Sequence, residues 1–500
     1  MSGIIRVNRI LMIALFSASA HAALAQPTNE PTRSLSLQRC IQLALEHNFE
    51  VKIERKGVEI ARERLSLAYG GYDPVLRAGV NRAKDLSPGG FDPVPVAGTE
   101  TERDSVSSAL TGLLPTGLEY EVGGNAVDAH GSGPNGVFEG TSGSVGIQLR
   151  QPLLKNLWID GTRLNIQISR KELKISELAW RGQVMDIVTR VELAFYDLLL
   201  ARENVLVQEQ ALQLARELLE ANKERIRLGV LATLDEKQAE SQVSAQRALV
   251  LSANRTVNIQ ENILKGLLSD NLAEWQDVTI RPAGELAAVP QQTRRAESWN
   301  RGLAMRPDLL QARADLERLG YIVSYNRNQL FPQLDAVGSY GHSASDTEFS
   351  GAFAQVREGS SPFHSYGLQL TVPLARRTAR SNYQISKAER SQSDLRLKQL
   401  EQDILLQIDD AIKAMETSFE RVATTREARQ FAEAALQGEQ TKMENGKSMS
   451  FFVLQLQRDL TTARSEEVRA LAEYNRAQAQ LALREGSVLL RHQLEIDVKP

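Results

Sequence analysis

The stretch that decides the fold is VMDIVTRVELAFYDLLLARENVLVQEQALQLARELLEANKERIRLG, residues 184–229. Large apolar residues recur in it at every seventh position: Val184, Val191, Leu198, Val205, Leu212, Leu219 and Ile226. The positions three residues later are mostly small or polar, as at Ala194, Ala201 and Asn222. A strict seven-residue apolar repeat is typical of helices that supercoil left-handedly around a partner. The stretch therefore predicts a long helix that packs closely along its length.

Proline distribution indicates how far such helices extend. No proline occurs at residues 153–281 or at residues 374–499, and proline breaks helix interiors. A helix over about residues 162–228 would be roughly 100 Å long at 1.5 Å per residue. A compact domain cannot hold a helix of that length, so we expect a rod or a tube. A soluble coiled-coil dimer would also fit the heptads, but it leaves the glycine-rich segments unexplained.

The chain contains one internal duplication. Gly229, Gln238 and Arg247 recur 217 residues later as Gly446, Gln455 and Arg464, and Thr233 stands opposite Ser450. Most of the extra length of the first half lies between residues 48 and 145. We expect two structural repeats, 26–290 and 291–500, each with a helix, membrane strands (about 72–151 and 331–373) and a long helical hairpin (155–270 and 375–490).

The glycine-rich segments alternate apolar and polar residues, as strands do. Leu118-Glu119-Tyr120-Glu121-Val122 is the clearest case. Between the strands we expect loops, here called tips, that are rich in Gly, Pro, Ser and Asp, at about 84–104, 127–140 and 343–361. The chain offers roughly four to six strands of membrane-spanning length. A closed membrane barrel needs about eight and lipid tolerates no open edge. If these strands enter a membrane, several chains must therefore share one barrel.

The N-terminus has the composition of a secretory signal peptide, residues 1–25. Arg6 and Arg9 precede an apolar run at 10–20, and Ala23-Leu24-Ala25 forms a small-x-small cleavage site. No later stretch of about 18 uncharged apolar residues follows. We therefore expect an exported chain without a transmembrane helix.

Composition and motifs argue against several classes of protein. Lys and Arg total 59 against 62 Asp and Glu, a net charge of −3, which is not that of a nucleic-acid binder. The single cysteine, Cys40, excludes an intrachain disulfide, and we expect its thiol to be buried. Gly131-x-Gly133-x-x-Gly136 and Gly446-Lys447-Ser448 resemble phosphate-binding motifs, but the first contains Pro134 and the second lacks the earlier glycine. We expect no enzyme activity, no cofactor and no metal site.

Several short stretches carry a family resemblance. They are LSLxxCIxLALxxN at 35–48, Gln151-Pro152-Leu153-Leu154 before the first long helix, Arg227-Leu228-Gly229 with Asp235 six residues later, and residues 446–455. The order and spacing of these stretches, together with the signal peptide and the duplication, resemble those of the TolC-like outer-membrane efflux family over about residues 34–490.

The resemblance implies a mainly α fold with a β part, located in the bacterial outer membrane with a long periplasmic extension. The family assembles as a homotrimer, in which each chain gives four strands to a twelve-stranded barrel and its coiled-coil hairpins to an α-barrel. It acts as the passive exit duct of tripartite efflux or type I secretion systems, and it meets an inner-membrane pump through a periplasmic adaptor. A soluble periplasmic coiled-coil scaffold is the alternative function.

Two features depart from the family pattern. The first strand region is much longer than the second, and Leu114-Pro115-Thr116-Gly117 looks like an added turn; extra strands and a large external loop both remain open. Some members close the inner mouth with acids six and nine residues after the second turn glycine, where this chain has Phe452 and Gln455. We predict an apolar constriction made by Phe452. The alternative is that Phe452 packs between helices.

The two hairpin turns end the longest helices and so lie farthest from the barrel. We predict that they dock the adaptor through Arg227, Gly229, Thr233 and Asp235 at the first turn and Gly446, Lys447 and Ser450 at the second. Both glycines are expected in the left-handed conformation. Near the second turn, Ser448 and Met443 replace the basic and aromatic residues of other members, which leaves Asp235 without its expected partner. The alternative for Thr233 and Asp235 is that they only cap the following helix.

Overall fold

The computed structural model describes residues 32–90, 98–133, 136–229, 232–291 and 293–495. The signal peptide predicted at residues 1–25 lies outside these ranges. Long helices and one large antiparallel sheet make up most of the described chain. Within it, no helix combines the length and the apolar character needed to cross a bilayer.

Both halves of the chain follow the same order of elements: short helices, strands, then a long helical hairpin. The helices of the first half are α1 (Leu37–His47), α2 (Phe49–Tyr69), α3 (Gly161–Arg227) and α4 (Thr233–Leu268). Those of the second half are α5 (Arg295–Met305), α6 (Pro307–Asn328), α7 (Phe349–Glu358), α8 (Arg377–Glu444), α9 (Ser450–Glu485) and α10 (Val488–Arg491). The mainly α fold with a β part is thus confirmed.

The breaks between the short helices have local causes. Asn48 leaves the helical conformation after α1, and its side chain accepts a hydrogen bond from the N–H of Glu50 at 2.9 Å, which caps α2. Arg306 is extended (φ −64°, ψ 123°) because Pro307 follows it. Pro307 then starts α6, where its missing N–H leaves no intrahelical bond unmade.

The predicted long helix is confirmed, since α3 has 67 residues and α8 has 68. The heptad row of α3 is buried in its first part, where Val184, Val191 and Leu198 are at most 1% exposed. Toward the turn the buried positions become Ala215, Leu218 and Asn222. A straight helix repeats every 3.6 residues, so a seven-residue row drifts around its surface.

The seven-residue apolar repeat restarts in α4 at Val243, Val250, Val257 and Leu264. Leu264, at the end of the helix, is fully buried, but the three valines before it are only half-buried. Gln242 and Gln246 are buried instead. The Nε2 of Gln246 donates to the Oε1 of Gln208 on α3 at 2.6 Å. Hydrogen-bonded amides therefore form part of the contact between these two helices, and the sequence period alone did not show this.

The sheet has six antiparallel strands in the order β2-β3-β4-β5-β7-β8. Their bounds are β2 (Val75–Ser87), β3 (Thr99–Leu113), β4 (Glu119–Gly133), β5 (Gly136–Pro152), β7 (Gln333–Asp346) and β8 (Pro362–Thr371). A separate parallel pair joins β1 (Thr32–Ser36) to β6 (Thr279–Ala283). The second half adds its two strands to the edge of the four from the first, through β5 and β7.

The four strands per chain that the family resemblance implied are therefore wrong for this protein. The first half supplies four strands and not a large external loop. The added turn is confirmed: the N–H of Gly117 donates to the carbonyl of Leu114 at 2.8 Å, with φ +85° at Gly117. The predicted tip at 127–140 is mostly strand, up to Gly133 and from Gly136. The predicted tip at 343–361 contains α7.

The largest core forms where α1, α3, α4 and α9 meet. It joins Val191 and Leu198 of α3 to Ile41 of α1 and Leu264 of α4. Cys40 lies fully buried in the same core, as predicted. Burial raises the pKa of its thiol to about 12, so the thiolate is essentially absent near neutral pH.

Candidate functional site

Both long hairpins turn on a glycine with positive φ. Gly229 has φ +77° and its N–H donates to the carbonyl of Ile226 at 2.8 Å; Gly446 has φ +68° and donates to Met443 at 3.1 Å. The predicted left-handed conformation is confirmed at both. In the described part of the chain, a Cβ at either position would meet no atom within 4 Å beyond the adjoining residues. The positive φ, and not crowding, therefore favours glycine here, because any other residue in this conformation costs roughly 1–2 kcal/mol.

The two turns are connected to each other by polar contacts. The Oγ of Ser450, at the start of α9, donates to the Oδ1 of Asp235, in the first turn of α4, at 3.0 Å. Ser450 is fully buried. Two turns further along the same helices, Arg458 donates to the Oε1 of Gln242 at 2.9 Å. These bonds hold the first hairpin against the second.

Asp235 thus has a hydrogen-bond partner, Ser450, which is neither of the residues, Ser448 and Met443, that stand where other members have the basic and aromatic partners. The capping alternative is wrong. Ala232 is the N-cap of α4, and neither Thr233 nor Asp235 provides a side-chain cap. Thr233 is exposed at the first helical position. The sequence aligned Thr233 with Ser450, but the hydrogen bond runs from Ser450 to Asp235.

The charged groups of the turns differ in their surroundings. Arg227 forms an ion pair with Glu224 on its own helix, whereas Lys447 is exposed and has no ion pair in the described ranges. Ser448 donates a hydrogen bond to Glu439, and Lys442 lies 2.9 Å from the same carboxylate. Both contacts lower the pKa of Glu439, and the hydrogen bond from Ser448 has the larger effect. Lys447 is therefore the less neutralised cation of the two turns.

Large exposed apolar side chains lie next to both turns. We call this group the tip patch: Leu228 (68% exposed), Leu234 (66%), Met449 (67%), Phe451 (55%) and Phe452 (47%). A cluster of large exposed apolar side chains usually marks an interaction surface. Sequence reasoning selected only Phe452 of this group. The available signal was their position next to the turn glycines, at the ends of the long helices.

Phe452 and Gln455 lie on the exposed side of α9. The opposite side carries the buried Val453, Leu454 and Gln457. The ring of Phe452 contacts that of Phe451 edge to face at 5.7 Å. Phe452 therefore does not pack between the helices of its own chain, and packing against helices of another copy stays the alternative to a constriction. Both side chains remain free to meet another copy or a passage.

The six-stranded sheet has two chemically different faces. We call one the apolar face because most of its large side chains are apolar and exposed: Leu76, Val80, Val106, Leu110, Val122, Val145, Leu149, Tyr340, Tyr366, Leu368 and Leu370. The polar face carries Arg77, Asn81, Ser105, Ser107, Thr111, Glu121, Asn125, Ser144, Gln148, Arg150, Ser339, Ser365 and Gln369. Val75, Phe138 and Phe363 are exposed apolar exceptions on the polar face. This division is that of a strand layer between lipid and water.

The polar face is the concave one. A cavity of about 690 Å³ on it is lined by residues from all six strands, from Val75 on β2 to Ser365 on β8. At its lower end Arg150 pairs with Glu119 at 3.0 Å and with the buried Asp335 at 2.9 Å. The face therefore offers mixed charge and hydroxyl groups to a passing solute. Across the described ranges, no group of three or more ligating side chains is placed to hold a metal ion.

Comparison with known proteins agrees with this architecture. The sequence profile of the family described as "Outer membrane efflux protein" matches residues 97–269 and 300–486. The chain is 24% identical over 333 residues to the outer membrane efflux protein BepC of Brucella suis, covering 66% of this chain and 69% of BepC. It is 23% identical over 303 residues to the proteases secretion protein PrtF of Dickeya chrysanthemi, covering 57% of this chain and 63% of PrtF.

The fold is also that of a solved channel. The CmeC outer membrane channel of Campylobacter jejuni superimposes with a TM-score of 0.65 at 15% identity, over 90% of this chain and 85% of CmeC. At that identity the likeness concerns the fold alone.

The contact between Ser450 and Asp235 gives a test of how the hairpins are joined. Ser450→Ala leaves the half-buried carboxylate of Asp235 without its donor, which we expect to cost about 1 kcal/mol. Amide hydrogen exchange in the second turns of α4 and α9, where the N–H groups are bonded within the helix, should then speed up by roughly fivefold. Thr233→Ala is the matched control, because Thr233 is exposed and caps nothing. An equal acceleration in both variants would contradict a specific link.

Proposed function

We propose, because the chain belongs to the outer membrane efflux protein family, that three copies form one passive duct through the outer membrane and into the periplasm. The six-stranded sheet is the observation that carries this proposal. It has a concave polar face, an exposed apolar face and, among the described strands, no partner for the outer edge of β2 or of β8. Its helices continue from the sheet for roughly 100 Å.

The edge strands argue for closure between copies. Lipid supplies no hydrogen bonds to an open edge, and six strands are too few to close alone. Along the sheet the strands alternate in direction, so β2 and β8 run opposite to each other. The β8 strand of one copy can therefore pair antiparallel with β2 of the next. With six strands from each of three copies, the barrel would have eighteen strands, and a barrel of about that size leaves an aqueous channel.

The transport itself needs no catalytic group. Hydroxyl, amide and charged side chains on the polar face replace part of the hydration of a polar solute without binding it tightly. The direction and the choice of cargo then come from the pump that delivers it. PrtF, one of the relatives, is named for secreting proteases, whereas BepC is named for efflux; the lining itself favours neither kind of cargo.

The shared barrel is tested by disulfide crosslinking. Cysteines placed in pairs on β2 (Leu76, Val80) and on β8 (Tyr366, Leu368) should link neighbouring copies in outer membranes and give a ladder that stops at three chains. The reason is that these strands are the two open edges. A cysteine at Val122 on the inner strand β4, paired with one on β8, is the control and should give no ladder. Release of the protein without detergent would instead support the periplasmic scaffold.

The hairpin tips are proposed to dock a periplasmic adaptor, which connects the duct to an inner-membrane pump. Members of this family work with such partners. The tip patch supplies exposed apolar area, and Lys447 and Arg227 stand beside it as cations. Buried contacts between the hairpins, such as Ser450 to Asp235 at 3.0 Å, hold the surface in one shape. An adaptor with an apolar, partly acidic tip would fit it.

Charge reversal tests this docking. Lys447→Glu and Arg227→Glu should assemble as trimers yet lose most export, because they change the surface without touching the helix starts. Lys398→Glu is the matched control for Arg227→Glu, since Lys398 is also a largely exposed cation paired on its own helix, with Asp394 at 2.8 Å. Export is measured with the adaptor present. Normal export by both tip variants would place the docking surface on the helix flanks.

The opening of the duct at the hairpin tips, its inner mouth, is proposed to be narrowest at Phe452. Three copies of this half-exposed ring, with Gln455 one turn beyond, would form an apolar constriction where the helices converge. Phe452→Ala should raise single-channel conductance on the order of twofold, because apolar constrictions exclude hydrated ions by dewetting. Phe451→Ala controls for a general loosening of the tip. If only Phe451→Ala raises the conductance, the constriction is formed by the other ring.

A further inference from the structure

The short helix α7 covers part of the apolar face. It lies between β7 and β8 in sequence and packs against β5 and β7. Ala352 on the helix and Ala344 on β7 are both buried there. The side chain of Gln355 fixes the helix by donating to the carbonyl of Ser345 at 3.2 Å and to Asp346 at 3.1 Å. The helix is therefore held on the side of the sheet opposite the concave polar face.

A cleft of about 440 Å³ lies between α7 and the strands. Its floor has only small side chains or none, at Gly124, Ala126 and Gly143. Its walls are larger side chains of the apolar face together with Phe349 and Phe353 of α7. These two rings are 60% and 62% exposed. Few polar groups line the cleft, so it suits an occupant that needs no hydrogen bonds.

The position of the cleft along the strands indicates the occupant. Leu110 and Val122 line its lower part, and toward the long helices the apolar face continues through Leu149, Tyr366 and Leu368. On the same face of β2 and β3, further along, the side chains become ion pairs, with Arg82 bound to Asp104 and Lys84 to Glu102 at 2.8 Å. The cleft thus lies at the border between an apolar band and a charged rim, where acyl chains meet their headgroups and where aromatic residues are enriched.

We propose that the cleft binds one acyl chain of an outer-membrane lipid, an inference that rests on the membrane insertion of the sheet proposed above. Solutes in the duct contact the polar face and cannot reach this side of the sheet. The chain would lie along the Gly and Ala floor under Phe349 and Phe353. It would fix α7, and with it the β7–β8 connection, at the outer leaflet as an interfacial helix.

The test uses a photoreactive lipid. Trimers are reconstituted in phosphatidylethanolamine and phosphatidylglycerol vesicles that contain a phosphatidylethanolamine with a diazirine in one acyl chain, and labelled peptides are mapped after illumination. Label should concentrate on α7 and on β5 near Gly143. Ala126→Phe, which fills the floor, should lower that label at least fivefold. Phe349→Ser with Phe353→Ser should do the same, whereas the two Phe→Leu changes should keep it.

The label on Tyr366–Thr371 of β8, outside the cleft, serves as the internal reference. If these residues are labelled but the cleft is labelled no more strongly and is unaffected by Ala126→Phe, the cleft holds no bound chain and the inference fails. A crosslink from α7 to another copy in lipid-free detergent would also overturn it, with a second chain as the occupant. If β8 takes no label in any sample, the membrane insertion itself is wrong.

Discussion

The packing of the apolar row of α3 is the interaction on which the rest of the structure depends. Val191 and Leu198 are completely buried, and the core around them contains residues from α1, α4, α9 and α10. Each such side chain contributes about 1.5–3 kcal/mol of burial. Because α3 also contacts α2 and α6, it holds both halves of the chain together. The sheet at one end and the turns at the other are thereby placed at opposite ends of one long body.

The sheet follows from a different constraint, the pairing of backbone groups. Each strand between the edges exchanges hydrogen bonds with two neighbours, so the faces are free to differ in chemistry. Alternation along the strands then puts hydroxyl and charged groups on the concave face and large apolar side chains on the other. The additional hairpin of the first half widens this surface without altering the alternation. A wider sheet offers a wider polar surface, and α7 packs on its opposite face against β5 and β7.

At the hairpin end of the molecule, hydrogen bonds between polar side chains fix how the helices pack against one another. Gln208 and Gln246 join α3 to α4, Arg458 and Gln242 join α9 to α4, and Ser450 reaches Asp235. Bonds of this kind require one relative position of the helices, whereas apolar contacts tolerate sliding. Together with the small apolar core around Met443, Val453 and Leu454, these bonds let the turns present the tip patch as a defined surface.

The sequence by itself determined the long helices, the two glycine turns, the buried Cys40 and the alternating strand segments. All of these rest on local features: a period of seven, a period of two, or a residue type that one backbone conformation requires. Tertiary structure alone decided that β3 and β4 extend through a region rich in turn residues, because each strand there is held by its neighbours and not by its own propensity. It also decided that amides replace the valines of α4 at the helix contact. The partner of Asp235 is another such case, since Ser450 lies 215 residues away. Which groups meet over such separations depends on how whole elements pack, and a period read along one element carries no information about that.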